Sequence, residues 1–375
     1  MSDGGLARVV IAGAGIAGLE ALLALHALAR GHVATTVLAP EPGFVMAAAS
    51  VGTPFGRGAP PEHDVEAIVA AHGGQLVRDA LHGVHLGDRC AITGGGDRLP
   101  FDALLVAVGA RPQAPFASAL TFRGPRDVDV VSGTLRELEA GRVASVAFVV
   151  PTGPTWPLPL YELALLTAAH AELHGLEVEV ALVTPEPTPL AALGDDAAAH
   201  ATETLAAAGV AVLAGTEVVD VLESGALVGP GHRIVASPER VVALARLCGP
   251  VIHRLPHDEA GFIPVDDAGR VPGVDGVYAA GDATSGSLKH GGIGAQQAER
   301  AAHEIARRAG APVASHSPRQ VVRAELLEGV RHTFLRRPIE PGGTAVLSHD
   351  ALWWPPLKVA APRLATYLAA KGAAG

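Results

Sequence analysis

Two glycine-rich segments about 270 residues apart carry the residue types best suited to binding a nucleotide. The first follows the apolar residues 9–12 and has the spacing Gly13-x-Gly15-x-x-Gly18. Glycines at this spacing allow a tight turn, close approach of a pyrophosphate and close packing of the next helix, whose N-terminal N–H groups face the phosphates. The second segment ends in Ala280-Gly281-Asp282, just before another glycine-rich helix start. Together the two segments predict one binding site built from both ends of the chain.

The elements around the first segment are a strand, a helix and a second strand at residues 34–38. In dinucleotide-binding units the second strand ends in an acid that binds the adenosine ribose, about 20 residues past the glycines. Ala39-Pro40 stand at that point, and Glu41 comes two positions late. Glu41 is therefore either a displaced ribose ligand or a solvated loop residue.

A second α/β unit follows in the middle of the chain. The pattern predicts strands at residues 143–150, 176–183 and 210–212 and helices at 158–174 and 195–208. The predicted fold class is α/β, with two nested Rossmann-like dinucleotide-binding domains and a C-terminal cap. The predicted boundaries are 1–112 and 253–310 for the first domain, 113–252 for the second, and 311–375 for the cap.

Composition excludes several classes of function. The chain has 375 residues, 49% of them hydrophobic and 18% charged, and a net charge of −10, which argues against a nucleic-acid partner. Two cysteines 158 residues apart support neither a disulfide framework nor a zinc site. No charged leader precedes the first strand, so we expect a cytoplasmic protein, with the inner face of the membrane as the peripheral alternative.

These motifs together resemble the two-dinucleotide-domain flavoproteins of the pyridine nucleotide-disulfide oxidoreductase family, nearest to sulfide:quinone oxidoreductases and type II NADH dehydrogenases. The resemblance covers residues 6–310 and includes residues 106–112, where the family often has Ala-Thr-Gly-x-Arg-Pro. It implies bound FAD, with a ribityl hydroxyl donating to the Asp282 carboxylate. The implied cofactor-binding residues are Gly13, Gly15, Ile16, Ala17, Gly18, Glu41, Gly109, Arg111, Gly281, Asp282, Gly292 and Ile293.

The second domain departs from this family at its own glycine turn. Two of the three glycines of the dehydrogenase motif are replaced, by Pro151 and Trp156. Proline removes an N–H group and tryptophan fills the space of a pyrophosphate, so we do not expect ordinary NAD(P)H binding. Sulfide:quinone oxidoreductases also lack these glycines, but they hold sulfur on cysteines beside the flavin. Cys90 reads as a core residue and Cys248 as a loop residue, so a mechanism through a cysteine pair is not expected either.

Three residues are candidates for catalysis. Lys289 would place a cation beside the flavin N1 and C2 carbonyl, or it is a surface lysine. His290 would relay a proton, because imidazole changes charge near neutral pH. Glu162 aligns with the glutamate of the dehydrogenase motif, on the nicotinamide side of the flavin, or it is an exposed acid in the first turn of a helix.

The tail from residue 311 onward carries eight Lys/Arg and four Asp/Glu, and it is the only part suited to an anionic surface. Trp353, Trp354 and Lys358 would suit a membrane-surface contact, whereas a homodimer contact or a lid over the flavin is the alternative. The predicted function is an FAD-dependent oxidoreductase with a small-molecule electron donor and an acceptor such as a quinone. The alternatives are an NAD(P)H:quinone-type reductase with a modified nicotinamide site and a flavin-holding subunit that acts by binding a partner.

Overall fold

The computed structural model describes residues 5–286, 288–314, 319–340 and 342–372. Its strands are β1 Ala7–Ala12, β2 Val33–Leu38, β3 Gly43–Val45, β4 Glu62–Asp64, β5 Gln75–Val77, β6 Leu81–His85, β7 Cys90–Thr93, β8 Arg98–Pro100, β9 Ala103–Val106, β10 Arg111–Gln113, β11 Leu120–Phe122, β12 Ser145–Val149, β13 Glu179–Val183, β14 Ala211–Leu213, β15 Asp220–Val221, β16 Leu227–Gly229, β17 Arg233–Ala236, β18 Arg240–Leu244, β19 Arg246–Cys248, β20 Val277–Ala279, β21 Val321–Glu328, β22 Arg331–Pro338 and β23 Val346–Ser348.

The helices of the described residues alternate with these strands. They are α1 Ile16–Leu28, α2 Val65–Ala71, α3 Val128–Glu139, α4 Leu158–His174, α5 Asp195–Ala207, α6 Gly291–Arg308 and α7 Pro362–Gly372. Short 3₁₀ helices lie at Ala47–Phe55, Pro125–Asp127, Ala191–Leu193, Pro230–His232 and Gly281–Ala283. None of the helices in this part of the chain is both long and apolar enough to cross a membrane.

Two parallel five-stranded sheets form the framework. The first has the order β20-β9-β1-β2-β5 and the second the order β11-β18-β12-β13-β14. The second sheet is inserted in sequence between β9 and β20 of the first. The antiparallel pair β10 and β19, in which Arg111 lies opposite Cys248, connects the exit from the first unit to the return. This confirms the predicted α/β class with two nested nucleotide-type units.

Helix α1 is buried on almost every side because α6 and α7 pack against it over the first sheet. Leu19, Leu22 and Leu25 of α1 are at most 1% exposed. This burial explains why residues 16–28 are apolar on nearly all faces of the helix.

The tail folds as a three-stranded antiparallel sheet, β21-β22-β23, followed by α7. The sheet packs on α4, and α7 packs on α1, where Leu364 and Leu368 enter the core of the first unit. The Glu20 carboxylate of α1 accepts hydrogen bonds from the N–H groups of Arg363 (2.9 Å) and Leu364 (2.8 Å), at the start of α7. The tail is therefore held to both units.

Candidate functional site

A cleft of about 230 Å³ opens at the carboxyl ends of β1, β9 and β20, where the strand order of the first sheet reverses. Open α/β sheets bind ligands at this switch point. The lining residues come from both glycine-rich segments and from the end of β9. They are Gly13, Ala14, Gly15, Ile16, Ala17, Ala107, Val108, Gly109, Ala280, Gly281, Asp282, Gly291 and Gly294.

The three glycines of the first segment have different roles. A Cβ at Gly13 (φ +108°) would collide with the Ala107 carbonyl, and one at Gly18 would collide with the Gly13 carbonyl, so both are needed for backbone packing. Gly15 has nothing within 4 Å of its Cβ position, which leaves that space open in the cleft. No side chain caps the N-terminus of α1 beside it, and the first N–H groups of a helix have no partner within the helix. The cleft therefore offers unpaired donors to an anion.

Asp282 is the one ionisable residue among those that line the cleft. Burial raises the pKa of its carboxyl group, and the nearby Lys289 ammonium partly opposes that rise. No group among the residues that the structure describes donates a hydrogen bond to this carboxylate. Asp282 is thus a free acceptor in the cleft, as a ligand hydroxyl requires.

Lys289 lies behind Asp282 rather than in the cleft. Its Nζ donates to the backbone carbonyls of Thr284 (2.5 Å) and Asp282 (3.3 Å) and lies 3.5 Å from the centroid of the Phe262 ring. Burial lowers the pKa of Lys289 to about 8. The alternative of a surface lysine is wrong, because Lys289 is 4% exposed. Its contacts show that it holds the turn that carries Asp282.

His290 caps helix α6. Its Nδ1 accepts a hydrogen bond from the Ile293 N–H at 3.2 Å, and its ring packs edge-on against Trp156, with centroids 4.6 Å apart. Burial lowers the pKa of His290 to about 4, so the imidazole is neutral at neutral pH. The expectation that the charge of His290 changes near neutral pH is therefore wrong, because burial disfavours the charged imidazole. The sequence alone does not reveal this burial.

Glu162 lies on α4 and is 1% exposed, so the alternative of an exposed helix acid is wrong. Its Oε1 accepts hydrogen bonds from the Leu327 N–H (2.9 Å) and from Lys358 Nζ. Burial raises the pKa of Glu162, and the Lys358 ammonium opposes that rise. Lys358, expected at the surface as an anchor, is a buried partner instead, because the tail turns inward over α4 and α6.

A series of polar groups connects this pair to the surface. Lys358 Nζ also donates to the Glu325 carbonyl at 2.5 Å and lies 4.0 Å from Glu325 Oε2. His332 Nδ1 donates to Glu325 Oε1 at 2.5 Å, and Arg57 Nη1 donates to His332 Nε2 at 3.2 Å. The side chain of His332 is 39% exposed, so the series reaches solvent.

The pair is also close to the cleft. Val359, the residue after Lys358, packs on Gly291, where a Cβ would lie 3.1 Å from Val359 Cγ1. Gly291 lines the cleft at the start of α6. The segment after Lys358 therefore packs against Gly291, one of the residues that line the cleft.

Some of the predicted cofactor-binding residues are not among those that line the cleft. Gly292 and Ile293 are buried in packing around His290 and the core of the second unit, while Gly291 and Gly294 line the cleft instead. The sequence signal for Gly291 and Gly294 is their spacing of three residues, close to one helical turn. Gly18 packs against the Gly13 carbonyl. Two other predicted ligands are exposed: Glu41 follows β2 in a loop, and Arg111 donates from Nε to the Gly249 carbonyl at 3.0 Å.

The corresponding turn of the second unit is built differently. Pro157 is the N-cap of α4 and Pro159 lies in its first turn, so neither supplies an N–H group. The Leu160 N–H is occupied by the Pro157 carbonyl at 3.0 Å. The first turn of α4 therefore presents fewer free donors than that of α1.

The acid that follows β13 is also occupied. In a dinucleotide-binding unit this position supplies the ribose-binding carboxylate. Here Glu186 Oε2 accepts hydrogen bonds from Tyr161 Oη at 2.5 Å and from Thr184 Oγ1 at 3.1 Å. Burial raises the pKa of Glu186.

The two cysteines are separate from the cleft. Cys90 is buried in β7, where its Sγ donates to the Asp88 carbonyl at 3.4 Å, and Cys248 ends β19. Neither is among the residues that line the cleft.

The cleft fits part of a dinucleotide. Free helix N–H groups at α1 suit a pyrophosphate, the space at Gly15 admits its close approach, and the unpaired Asp282 carboxylate suits a sugar hydroxyl. The volume is below the ≈300–1,000 Å³ of typical ligand pockets, so it accounts for the phosphates and adjoining hydroxyl groups rather than for a whole FAD.

Comparison with known proteins agrees with this geometry. The family model described as pyridine nucleotide-disulphide oxidoreductase matches residues 7–304. The sequence has no significant match among curated proteins.

Solved structures share the fold at low sequence identity. The sulfide:quinone oxidoreductase of the hyperthermophilic bacterium Aquifex aeolicus is 16% identical, with a TM-score of 0.83 over 92% of this chain and 87% of that one. A chain of the Tetrahymena thermophila mitochondrial ATP synthase is 14% identical, with a TM-score of 0.70 over 92% and 89%. The ferredoxin reductase for the CYP199A2 system of Rhodopseudomonas palustris is 17% identical, with a TM-score of 0.66 over 88% and 82%.

The family match covers both nucleotide-type units and the two glycine segments that form the cleft. The chain therefore belongs to the pyridine nucleotide-disulphide oxidoreductase family and is an oxidoreductase with FAD as its cofactor.

Proposed function

We propose that this protein passes electrons from a small reductant other than NAD(P)H, through FAD, to an acceptor such as a quinone. The observation that carries the proposal is the altered phosphate turn of the second unit. In that turn, prolines stand at the N-cap and in the first turn of α4. A nicotinamide dinucleotide would need its pyrophosphate at this helix start, where the free donors are few.

Two further contacts support the exclusion of a nicotinamide donor. Trp156 packs against the buried His290 ring, so its indole is held in the turn that a pyrophosphate would approach. Glu186 is turned inward to Tyr161 and Thr184, so the ribose hydroxyls would lack their usual acceptor. Each of the three features, the donors, the space and the acid, works against the same ligand.

The placement of the cysteines argues for a mechanism without enzyme-bound sulfur. A cysteine that holds sulfur for the flavin must reach the cleft as a thiolate. Cys90 is 8% exposed within β7, and Cys248 lies in the strand pair between the units. The proposed donor is therefore a small reductant that reaches the flavin directly.

A quinone acceptor is proposed from two sources. The Aquifex aeolicus neighbour is named as a sulfide:quinone oxidoreductase, and its likeness covers 92% of this chain. In this chain the segment around Val359 packs against Gly291, which lines the α6 end of the cleft. A protein acceptor such as the one implied by the ferredoxin reductase name is the alternative acceptor class.

When bound, FAD supplies the redox chemistry, and the chain's own residues bind and position it and supply protons. Asp282 would hold a ribityl hydroxyl, and Lys289 would fix the turn on which Asp282 lies. Glu162 and Lys358 would hold a proton near the start of α6, where Val359 packs against Gly291.

An anaerobic reduction screen tests the proposal. The purified yellow protein is mixed in turn with NADH, NADPH, sulfide and small thiols, and loss of the flavin's visible absorption is followed in time. We expect fast reduction by sulfide or a thiol, reoxidation by a soluble quinone, and slow reduction by either nicotinamide. Fast reduction by NADH or NADPH would show that the altered turn still binds a dinucleotide, as an NAD(P)H:quinone-type reductase requires.

Two other outcomes of the same experiment concern the FAD content of the purified protein and its reduction by any donor. A colourless protein that takes up no FAD would overturn the proposal that the protein is a flavin-dependent enzyme. A yellow protein that no donor reduces would favour a flavin-holding subunit, a role compatible with the fold's presence in an ATP synthase assembly.

A further inference from the structure

Helices α3 and α4 end side by side, on a part of the surface remote in sequence from the cleft residues. Glu139 is the last residue of α3, and His170 and His174 lie one turn apart at the end of α4. One ligand atom from each of the three lies within 4.8 Å of the others. His170 Nε2 is 2.8 Å from Glu139 Oε1, and the two imidazole centroids are 4.4 Å apart.

We propose that Glu139, His170 and His174 form a binding site for a divalent transition-metal ion of the zinc class. Two imidazoles and one carboxylate are a common set of three protein ligands for Zn²⁺, with a fourth position left for water. Histidines at positions i and i+4 lie on one face of a helix, so both can turn to the same ion. Magnesium and calcium prefer oxygen ligands and do not fit this set.

The helix ends add a second reason to expect a cation. The C-terminus of a helix carries partial negative charge from carbonyl groups without partners, and this charge stabilises cations within the last turn. Both α3 and α4 end at the cluster, so their C-terminal dipoles act on the same point.

Local packing holds one ligand in place. The Phe55 ring lies edge-on to His170, with centroids 6.2 Å apart, and the side chain of His170 is 17% exposed. His174 and Glu139 are exposed, so an ion can enter from solvent. The ion would take the place of the proton that lies between His170 Nε2 and Glu139 Oε1. It would thereby join α3 and α4.

Calorimetric titration of the untagged FAD-loaded protein with Zn²⁺, in a buffer that does not chelate it, tests this site. We expect one saturable equivalent in the natural protein. His174→Gln and Glu139→Gln should each weaken binding by about tenfold or more, since even loss of a group that only orients a metal ligand costs 10–100-fold. His82→Gln, a change at an exposed histidine elsewhere, should leave binding unchanged.

Two further measurements separate the site from nonspecific binding and from misfolding. Co²⁺ should give the visible absorption bands of a low-coordinate nitrogen and oxygen site, and His174→Gln should remove them. Zn²⁺ should raise the melting temperature of the natural protein but not of His174→Gln, because only a ligand of the folded state stabilises it. Binding that is absent, or that survives both His174→Gln and Glu139→Gln in proteins with normal FAD content, overturns the proposal.

Discussion

Replacing Lys358 by methionine should destabilise the protein by about 3–5 kcal/mol, the cost of leaving a buried charge without its partner. Lys358 is 9% exposed and Glu162 1% exposed, so water cannot replace the lost ammonium. Without Lys358, the Leu327 N–H is the remaining described donor to Glu162. Unfolding of the FAD-loaded protein by urea, followed by flavin fluorescence and circular dichroism, measures the loss.

The double variant Glu162→Gln, Lys358→Met should recover most of that loss, because a neutral amide still accepts from the Leu327 N–H. Exchanging both members of a buried ion pair for neutral groups is often neutral or stabilising. Lys371→Met, at an exposed lysine of α7, is the matched control and should change stability by about 0.5 kcal/mol or less.

The pH dependence has a definite sign. Burial raises the pKa of Glu162, and removing Lys358 removes the opposing cause, so the folded Lys358→Met variant favours the protonated acid. Its stability deficit should therefore be smallest below the unfolded pKa of Glu and grow as the pH rises. A deficit below about 1 kcal/mol, typical of exposed ion pairs, that also shows no pH dependence would refute the reasoning.

Changes at Asp282, at the first glycine turn and at Glu20 test the site and the tail. Asp282→Ala should lose FAD, measured by absorbance after gel filtration. Asp282→Asn keeps an acceptor oxygen and should retain more FAD than Asp282→Ala. Full FAD occupancy in Asp282→Ala would show that Asp282 does not have the proposed role. Gly15→Ala should weaken FAD binding without lowering the melting temperature of the FAD-free protein, since its Cβ meets only open space. Gly13→Ala should lower both the affinity for FAD and the melting temperature of the FAD-free protein, because its Cβ collides with the Ala107 carbonyl. Burial raises the pKa of Glu20 to about 7, so the stability that its protonated form contributes is present below about pH 4.5 and is lost as the pH rises through about 7. This amounts to about 3 kcal/mol relative to Glu20→Gln in urea titrations at several pH values, and equal pH profiles for both proteins would contradict it.

Much of the framework was predictable from local patterns. Helix α4 begins and ends at the predicted residues 158 and 174, because an apolar run follows a proline-rich start and Gly175 terminates it in the left-handed region. Helix α3 was not predicted, since its sequence mixes β-branched residues with Gly133. It forms because Val131, Leu135 and Leu138 share a buried face.

The tail sheet was missed for a related reason. Residues 321–328 include good helix formers such as Ala324, Glu325 and Leu326. They nevertheless form β21, because β22 pairs with them and α4 covers them. Tertiary packing overrode the local preference, as strand formation often depends on its neighbours.

The sequence by itself determined the cofactor half of the function. Glycines are required wherever a backbone turn must approach a phosphate, and this requirement is visible as a spacing of residues. Only the tertiary structure decided what the ionisable residues do. It buried Glu162 against Lys358, 196 residues away, held His290 neutral, and turned Lys289 to the turn behind Asp282. The physical reason is that charge states depend on burial and on partners distant in sequence, which no local pattern records.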